Sequence, residues 1–429
     1  MPPADDWLDA AQASQRLGVK RATLYAYVSR GLVRSRARTG SRRRGYAAAD
    51  IARLQARSEA RGGHRAVAAG ALRWGEPVLD SKLTRIDAAG HCYRGYAALE
   101  LAQRCSFEQV AELLWGGALP DEVSWPLERG GCVTLAPVLS RMPAGLPLAR
   151  LRLALALLSH RHTTRAVAGA AHAAARLPAG EGEHTAYGSN EHSTTLVLTR
   201  RLMRQLVLAL ATTDQRRTAA QRQTSLAASL LAALGRPLRR SAVAATDAAL
   251  ILLADHELNV SSFAARVAAS AQADVFACIS AAAATISGAR HGGMSLRIEQ
   301  LLAEVAAPER AASVVRGRLR AGESLPGFGH RLYAGGDPRA APLLQWARRL
   351  APRQRQRRIV EALVGAMELA GAAKPSVDIG LVALASALRL GAGGGQVLFA
   401  VGRIAGWVAH VLEQREAGYL MRPRARYVG

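Results

Sequence analysis

The 429-residue chain is half apolar, only 5% of its residues are aromatic, and its formal net charge is +25. The length exceeds the usual size of one domain, and a composition rich in Ala and Leu favours helices, so we expect at least two domains and a mainly α body. Only three of the basic residues are lysines. A surplus of arginine suits anionic partners, either a nucleic acid backbone or a polyanionic small molecule.

Several classes of protein are disfavoured. None of the four cysteines belongs to a CxxC pair, and His160 and His162 have no Cys or carboxylate close by in the sequence. We therefore expect no disulfide scaffold, no metal site and a reducing, cytoplasmic location. The longest uncharged run, 275–289, is too short to span a bilayer, and the N-terminal segment lacks the basic and apolar pattern of a signal peptide.

Positive charge is concentrated in residues 1–66, which hold 14 Lys and Arg against 5 Asp and Glu. The apolar spacing predicts a helix over 7–19, with Leu8, Ala11 and Leu17 on its core face and a turn at Gly18. A second helix is predicted over 20–30, with its core face on Ala22, Leu24 and Val28. The second helix presents an outward set: Lys20, Arg21, Thr23 and Tyr27.

A basic strand–turn–strand segment follows over 34–46 and includes Arg42, Arg43 and Arg44. A third helix is predicted from Asp50 to about residue 61. This order resembles the DNA-binding half of the MerR-type regulators and implies a winged helix-turn-helix domain over 1–64. The resemblance also implies that the outward set and the three arginines contact duplex DNA. The alternative is a docking or vestigial appendage. Residues 65–79 are predicted to be a linker.

From residue 80 onward, candidate helices follow one another with short Gly/Pro breaks. Polar stretches interrupt these apolar helices at four places, 254–259 (ADHELN), 288–293 (GARHGG), 325–339 (containing PGFGH and DPR) and 374–378 (KPSVD). Burying polar side chains is costly unless they are paired, so these stretches are candidate sites. Singly, each has an ordinary explanation, such as a helix cap or a core histidine.

Together, and in this order, the stretches resemble the citrate synthase family over about 80–429. The opening segment SKLTRIDAAGHCYRGY and the later FAVGRIAGWVAHVLEQ extend the resemblance. It implies a mainly α, citrate synthase-like two-domain fold. The large subdomain would comprise 80–289 and 394–429, and the small subdomain 290–393 would close over the substrates and exclude water.

The resemblance also implies roles for individual residues. Asp378 matches the base that removes a proton from an acyl-CoA, His291 the residue that hydrogen-bonds the thioester oxygen, and His330 the residue that polarises the ketone of oxaloacetate. No cofactor is implied, because the CoA thioester is a co-substrate. The implied oxaloacetate-binding residues are His256, Arg339, Phe399, Arg403 and Arg422. The implied CoA-binding residues are Leu325, Pro326, Gly327, Gly329, Arg331 and Lys374.

Arginine at the Arg422 position comes from the neighbouring subunit in the family, which implies a homodimer. Two departures from the family pattern leave details open. Ala334 stands where the family usually has a basic residue for the CoA phosphates, so Arg331 or Lys374 would have to replace it. Ile379 follows the base where an aromatic residue is common, which leaves the acyl group undetermined.

Two alternatives follow. The first is 2-methylcitrate synthase acting on propionyl-CoA with the same residues, since one methylene gives little discrimination. The second is a DNA-binding regulator whose body only senses metabolites; the intact set of base and two histidines argues against this, because sensing needs no base. Residues 146–239 receive no functional assignment.

Overall fold

The computed structural model of the protein describes residues 7–17, 19–29, 32–37, 44–48, 50–51, 79–87, 90–125, 135–142, 147–174, 189–333 and 335–423, without side chains for 163–174 and 189–191. The chain divides into two compact units. The first comprises Met1–Asp80 and Arg422–Gly429, and the second comprises Ser81–Met421. We call them the N-terminal unit and the main unit.

The N-terminal unit combines two helices with a three-stranded antiparallel sheet. Its elements are β1 (Trp7–Leu8), α1 (Ala10–Leu17), α2 (Arg21–Ser29), β2 (Ser35–Ala37) and β3 (Arg44–Ala47). Strand β3 lies between the other two strands and pairs antiparallel with both. A small core joins the helices to the sheet and consists of Ala13, Leu24, Val33, Tyr46 and Ile51.

The first helix begins three residues later than the sequence predicted. Asp9 caps it, because its Oδ1 accepts hydrogen bonds from the backbone N–H groups of Ala11 and Gln12, both at 2.8 Å. Trp7 and Leu8 therefore belong to a strand and pair with β3. Ala11, predicted on the core face, is exposed, because the buried Ala13 defines that face instead.

The second helix has the predicted core residue Leu24, but the predicted outward position of Tyr27 is wrong. Tyr27 and Val28 lie three and four positions after Leu24 and therefore share its face, where both pack against the core. Tyr25 is the aromatic residue that faces outward, with 53% of its surface exposed. Ala22, predicted to pack inward, is also exposed.

Most of the other predicted DNA-binding residues have described positions. Lys20, Arg21 and Arg44 are exposed, and Thr23 is half-buried. Gly18, Arg42 and Arg43 lie outside the described residues, as does the third helix beyond Ile51. Asp50, predicted to begin that helix, is buried and accepts hydrogen bonds from Arg34 through the backbone N–H at 3.0 Å and Nε at 2.9 Å.

The main unit begins with an antiparallel sheet that the mainly α expectation did not include. Strand β5 (Gly90–Tyr93) pairs with β4 (Thr84–Asp87) on one side and with β6 (Tyr96–Ala97) on the other. The helices that follow are α3 (Ala98–Arg104), α4 (Phe107–Gly116), α5 (Ala136–Leu139), α6 (Pro147–Ala174), α7 (Ser189–Ala209), α8 (Asp214–Gln221), α9 (Leu226–Ala233), α10 (Arg240–Leu253), α11 (Val260–Ser270), α12 (Val275–Ile286), α13 (Met294–Val305), α14 (Ala311–Arg320), α15 (Ala340–Leu350), α16 (Arg355–Leu369), α17 (Val377–Ala387) and α18 (Gly394–Ala417).

Two hydrophobic cores lie within the main unit. The smaller one contains only residues between Ile298 and Ala383, and the larger one runs from Leu83 to Leu412. Helix α17 contributes to both, with Val377 in the larger core and Ile379 in the smaller one. Asp378, the predicted base on this helix, thus lies on an element that packs into both cores.

Helix α18 passes through the larger core. It is long and apolar enough to cross a membrane by composition, yet its apolar window is wholly buried inside the protein, as in the central helix of a folded core. Gly402 and Gly406 allow α10 and the loop after it to approach this helix: a Cβ on Gly402 would lie 2.8 Å from the Leu250 carbonyl oxygen, and one on Gly406 would overlap Ala254 and Asp255.

Candidate active site

The PGFGH loop is fixed against the segment that leads into α17. The backbone N–H of Gly329 donates to the Lys374 carbonyl at 2.7 Å, and that of Ser376 donates to the Gly327 carbonyl at 2.8 Å. Gly327 adopts a φ of +87°, which favours glycine, and a Cβ there would lie 3.0 Å from side chains of the smaller core. The loop that carries His330 therefore runs beside the N-terminus of α17.

Asp337 connects this region to Arg339. Its Oδ1 accepts from Arg339 Nε at 2.9 Å, and its Oδ2 accepts from Arg339 Nη2 at 2.8 Å and from the backbone N–H of Val377 at 3.0 Å. Burial alone would raise the pKa of Asp337, but the Arg339 guanidinium holds it below the ordinary value. One buried carboxylate therefore fixes the guanidinium and the first turn of α17 together.

Asp378 is the second residue of α17. Protein surrounds it densely, although part of its surface stays open. Burial raises the pKa of Asp378 to about 6, against a smaller opposing effect of Arg339. Ser376 Oγ lies 3.4 Å from Asp378 Oδ2. A carboxylate with a raised pKa is a stronger base than an ordinary aspartate and is still mostly ionised at neutral pH.

The proton position on His330 follows from its hydrogen bond. Nδ1 accepts from the backbone N–H of Leu332 at 3.2 Å. Burial, with the nearby Arg339, lowers the pKa of His330, so the ring is neutral at pH 7. A neutral ring that accepts at Nδ1 carries its proton on Nε2, and this makes His330 a hydrogen-bond donor.

His256 lies next to His330. The two rings are arranged edge to face with centroids 5.3 Å apart, and His256 Nε2 lies 2.9 Å from Tyr333 Oη. Burial, then Arg339 and Arg403, lowers the pKa of His256 well below its ordinary value. Burial raises the pKa of Tyr333 to about 12, so its hydroxyl stays protonated. His256, His330 and Tyr333 are therefore neutral hydrogen-bonding groups in a cluster that also contains the charged Arg339 and Arg403.

Ser261 orients His291. Its Oγ lies 2.8 Å from His291 Nε2 and accepts from Trp407 Nε1 at 3.0 Å. The His291 ring packs edge to face on Phe399, with centroids 5.7 Å apart. Burial, then Arg403, lowers the pKa of His291 to about 4. His291 is therefore a fixed, neutral imidazole whose Nδ1 remains for a ligand.

Arg403 also packs on Phe399. Its guanidinium carbon is 4.9 Å from the Phe399 ring centroid, and Nε donates to the Leu253 carbonyl at 2.7 Å. Burial lowers the pKa of Arg403 to about 10, so the group is still a cation at neutral pH. Asp378 and Arg339 both act on this pKa. Arg403 thus belongs to the same cluster as the predicted base.

Asp255 anchors the loop that carries His256. Its Oδ2 accepts from Thr84 Oγ1 at 2.5 Å, and its Oδ1 lies 3.3 Å from Nε2 of the fully buried His410. Burial alone would raise the pKa of Asp255, but His410 and Arg403 hold it below the ordinary value. Both Asp255 and His410 are wholly buried, so this pair is a structural support rather than a ligand-binding surface.

Most of the predicted catalytic and oxaloacetate-binding residues lie in this one cluster. The predicted CoA-binding residues are more dispersed. Leu325 is buried in the smaller core, and Pro326 and Gly327 are buried too, whereas Gly329, Arg331 and Lys374 are exposed. Ala334 lies outside the described residues. Arg422 is exposed in the segment grouped with the N-terminal unit.

Sequence reasoning missed several residues of the cluster. Asp337 and Tyr333 stand inside motifs that were singled out, but they received no role. Ser261 lies two positions after the ADHELN stretch. His91 is buried on β5, and its ring centroid is 5.9 Å from that of His256. The sequence around His91 contains no apolar helix for a polar stretch to interrupt, so the criterion that identified the other candidate sites could not find this residue.

Comparison with known proteins identifies the family of the chain. The family model described as "Citrate synthase, C-terminal domain" matches residues 71–424. The chain belongs to the citrate synthase family. The model described as "MerR HTH family regulatory protein" matches residues 9–62. The predicted family, the mainly α fold and the N-terminal helix-turn-helix region are therefore confirmed.

Individual relatives cover different shares of the chain. Citrate synthase 2 from Bacillus subtilis is 37% identical over 190 residues, which are 44% of this chain and 51% of that protein, so this match spans about half the relative. A citrate synthase from Mycolicibacterium smegmatis is 30% identical over 353 residues, covering 79% of this chain and 88% of that protein. A 2-methylcitrate synthase from Mycobacterium tuberculosis is 29% identical over 354 residues, covering 79% of this chain and 84% of that protein.

Solved structures of the family show the same fold. The crystal structure of citrate synthase from Pyrobaculum aerophilum matches with a TM-score of 0.68 and 26% identity, covering 82% of this chain and 90% of that one.

Proposed function

We propose that the protein condenses a short acyl-CoA with oxaloacetate to give citrate or a close homologue and free CoA. The observation that carries this proposal is the environment of Asp378. This carboxylate has a pKa raised to about 6 and interacts with the Arg339 and Arg403 guanidinium groups, which also act on the pKa values of the neutral histidines. Such a group suits removal of a weakly acidic proton from carbon, and simple binding of a diacid does not require it.

In the first step, Asp378 removes a proton from the carbon next to the thioester carbonyl. His291, held by Ser261 at Nε2, donates from Nδ1 to the thioester oxygen as it gains negative charge. In the structure the Ser261 hydroxyl donates to Asn259 Oδ1 at 2.6 Å, so this donation requires the hydroxyl to turn its O–H to His291 Nε2. The neutral state of His291 matters, because the enolate then meets a hydrogen-bond donor without a full charge.

In the second step, the enolate carbon attacks the ketone of oxaloacetate. His330 Nε2–H donates to the ketone oxygen and stabilises it as it becomes an alkoxide. The proton that Asp378 removed balances this alkoxide, which is protonated by way of water. Arg339 and Arg403 bind the two carboxylates; because Asp337 already uses Nε and one Nη2 hydrogen of Arg339, the rest of that guanidinium is left for the substrate. Water then hydrolyses the thioester and releases CoA.

A thiol-release assay with oxaloacetate and a panel of acyl-CoAs tests the proposal. We expect CoA release that requires both substrates. Calorimetric binding of oxaloacetate without turnover of any acyl-CoA would instead favour the metabolite-sensing regulator. The relative named 2-methylcitrate synthase keeps propionyl-CoA as a second candidate substrate, and the ratio of kcat/KM for acetyl-CoA and propionyl-CoA decides between them.

We also propose that the N-terminal unit binds duplex DNA. An open groove of about 700 Å³ lies between α2 and the sheet, and exposed Arg21 and Arg44 line it with Tyr25 and Ser29. Cations beside an exposed helix face suit contacts to phosphates. The test is the salt dependence of DNA affinity for the wild type and for a variant with Arg42, Arg43 and Arg44 replaced by Ala.

A charge-matched control separates the loss of DNA contacts by the N-terminal unit from the loss of net charge. Replacing Arg353, Arg355 and Arg358 by Ala removes the same charge from exposed positions of the main unit. We expect weaker binding and a smaller salt slope only for the N-terminal variant. No affinity of the wild type at low salt would favour the appendage alternative.

We further propose a cytoplasmic homodimer, with Arg422 reaching the neighbouring active site.

A further inference from the structure

His91 is a buried imidazole that the proposed mechanism does not use. It lies on β5, where alternation places His91 and Tyr93 on the same face. That face points towards the candidate active site, because the His91 ring centroid is 5.9 Å from that of His256 and 5.2 Å from that of Tyr93. Only 3% of His91 is exposed.

Hydrogen bonding fixes the position of the proton on His91. Tyr93 Oη donates its one proton to the Ile251 carbonyl at 2.8 Å, so it accepts from His91 Nε2 at 3.2 Å. His91 Nε2 therefore carries a hydrogen. Burial, then Arg339, lowers the pKa of His91 to about 3, and the ring is neutral at pH 7 with its lone pair on Nδ1.

That lone pair has no hydrogen-bond partner among the described residues, although Nδ1 is buried. An unpaired buried acceptor is costly, and a bound donor would recover that cost. The pKa of His91 is affected by four charged groups, Arg339, Asp337, Arg403 and Asp255. The unpaired Nδ1 atom therefore belongs to the same cluster as the two arginines assigned to the carboxylates of the substrate.

We propose that His91 Nδ1 accepts a hydrogen bond from an O–H group when a dicarboxylate occupies the pocket. His91 is then a further ligand-binding residue, an inference that rests on the proposed function. The O–H donor has two possible sources. It is either the hydroxyl of a 2-hydroxy dicarboxylate such as malate, or a water molecule held beside a dicarboxylate that lacks this hydroxyl, such as oxaloacetate or succinate.

The test compares His91→Gln with His91→Asn in the full chain. Glutamine can place its amide N–H near Nε2 and keep the bond to Tyr93, but it has no acceptor at Nδ1. Asparagine can place an acceptor near Nδ1 but loses the Tyr93 bond. The inhibition constants of malate and succinate against oxaloacetate are measured for each variant. His192→Gln on α7 serves as a control, and thermal unfolding checks folding.

If the ligand hydroxyl is the donor, His91→Gln raises the inhibition constant of malate about three- to tenfold and leaves that of succinate unchanged. If water is the donor, the constants of both inhibitors and the KM of oxaloacetate rise by a common factor. In either case His91→Asn stays near the wild type. The proposal is overturned if His91→Gln binds all ligands normally, or if both variants lose affinity equally together with thermal stability.

Failure of this proposal is distinguishable from failure of the proposed function. If the wild type releases no CoA, the same comparison is made with dissociation constants from calorimetry, which need no turnover. Unchanged calorimetric affinities in His91→Gln would then overturn the role of His91 by themselves.

Discussion

Asp337 holds Arg339 through both carboxylate oxygens, and the same carboxylate accepts the first backbone N–H of the helix that carries Asp378. The pair is almost completely buried, with side-chain exposures of 0% for Asp337 and 2% for Arg339. The guanidinium proposed to bind oxaloacetate and the position of the proposed base are therefore coupled through one side chain.

Replacing Asp337 by Asn leaves the Arg339 guanidinium buried without its counter-ion. We expect the free energy of unfolding to fall by about 3–5 kcal/mol and the KM for oxaloacetate to rise. The control is Asp87→Asn, which breaks the exposed ion pair with Arg85 and should cost less than about 1 kcal/mol. Urea unfolding and steady-state kinetics measure both effects; equal losses in the two variants would contradict the coupling.

The raised pKa of Asp378 gives a pH dependence with a definite sign. The base must be ionised, so kcat/KM for the acyl-CoA should rise as pH passes through about 6 and fall below it. Protonation of His291 does not interfere, because its pKa is about 4. We expect Asp378→Asn to lower kcat about 10²- to 10⁴-fold and to bind oxaloacetate normally. Unchanged turnover would remove the proposed mechanism.

The same shift predicts an effect on stability. The pKa of Asp378 is higher in the folded protein, about 6, than the ordinary value of 3.8, so ionisation disfavours the folded state. The stability contributed by the protonated form is therefore lost as pH rises from about 4 to above 6. Asp378→Asn should raise the melting temperature relative to the wild type at pH 8 and have little effect at pH 4. An equal difference at both pH values would argue against the raised pKa.

His330 can be tested by substitutions that each keep one ring nitrogen. Gln keeps a donor near Nε2, and Asn keeps an acceptor near Nδ1 for the Leu332 backbone. Because the proposed role is donation from Nε2, we expect His330→Asn to lose about 10²- to 10³-fold in kcat and His330→Gln to lose less. The KM for acyl-CoA should change little. The reverse order of activities would assign His330 a structural role.

Two helical glycines give a matched pair for stability. A Cβ on Gly406 would overlap Ala254 and Asp255, whereas one on Gly365 in α16 meets nothing within 4 Å. Gly406→Ala should destabilise the protein by about 1–3 kcal/mol and raise the KM for oxaloacetate, because it displaces the loop of His256. Gly365→Ala should be neutral or stabilise the helix by up to about 1 kcal/mol. Thermal unfolding compares the two.

The origin of Arg422 can be tested by mixing two inactive variants. If Arg422 acts on the neighbouring subunit, a heterodimer of Arg422→Ala and Asp378→Asn contains one complete active site. Random reassembly should then restore roughly one quarter of the wild-type activity. No recovery in a mixture that sedimentation shows to form heterodimers would mean that Arg422 acts within its own subunit.

The sequence by itself was sufficient for the family, the mainly α body and most of the residues that the structure brings into one cluster. Asp378, His291 and His330 could be named because motif order along the chain reports which residues a known fold brings together. The helix-turn-helix region was identified for the same reason, from the order of its helices and its basic hairpin. These features depend on local patterns and spacing, which the sequence contains directly.

The tertiary structure determined the helix faces, tautomers and pKa shifts that local sequence patterns do not contain. The helical periodicity of the sequence was compatible with an outward-facing Tyr27. In the folded unit Tyr27 shares the face of Leu24 and packs against the core, and Tyr25 is exposed instead. The first helix begins only at Ala10, because Trp7 and Leu8 form a strand that pairs with β3. The neutral tautomers of His91 and His330 depend on the Tyr93 hydroxyl and the Leu332 N–H, and the raised pKa of Asp378 depends on burial. Hydrogen bonds and desolvation arise only when the folded chain brings these groups together.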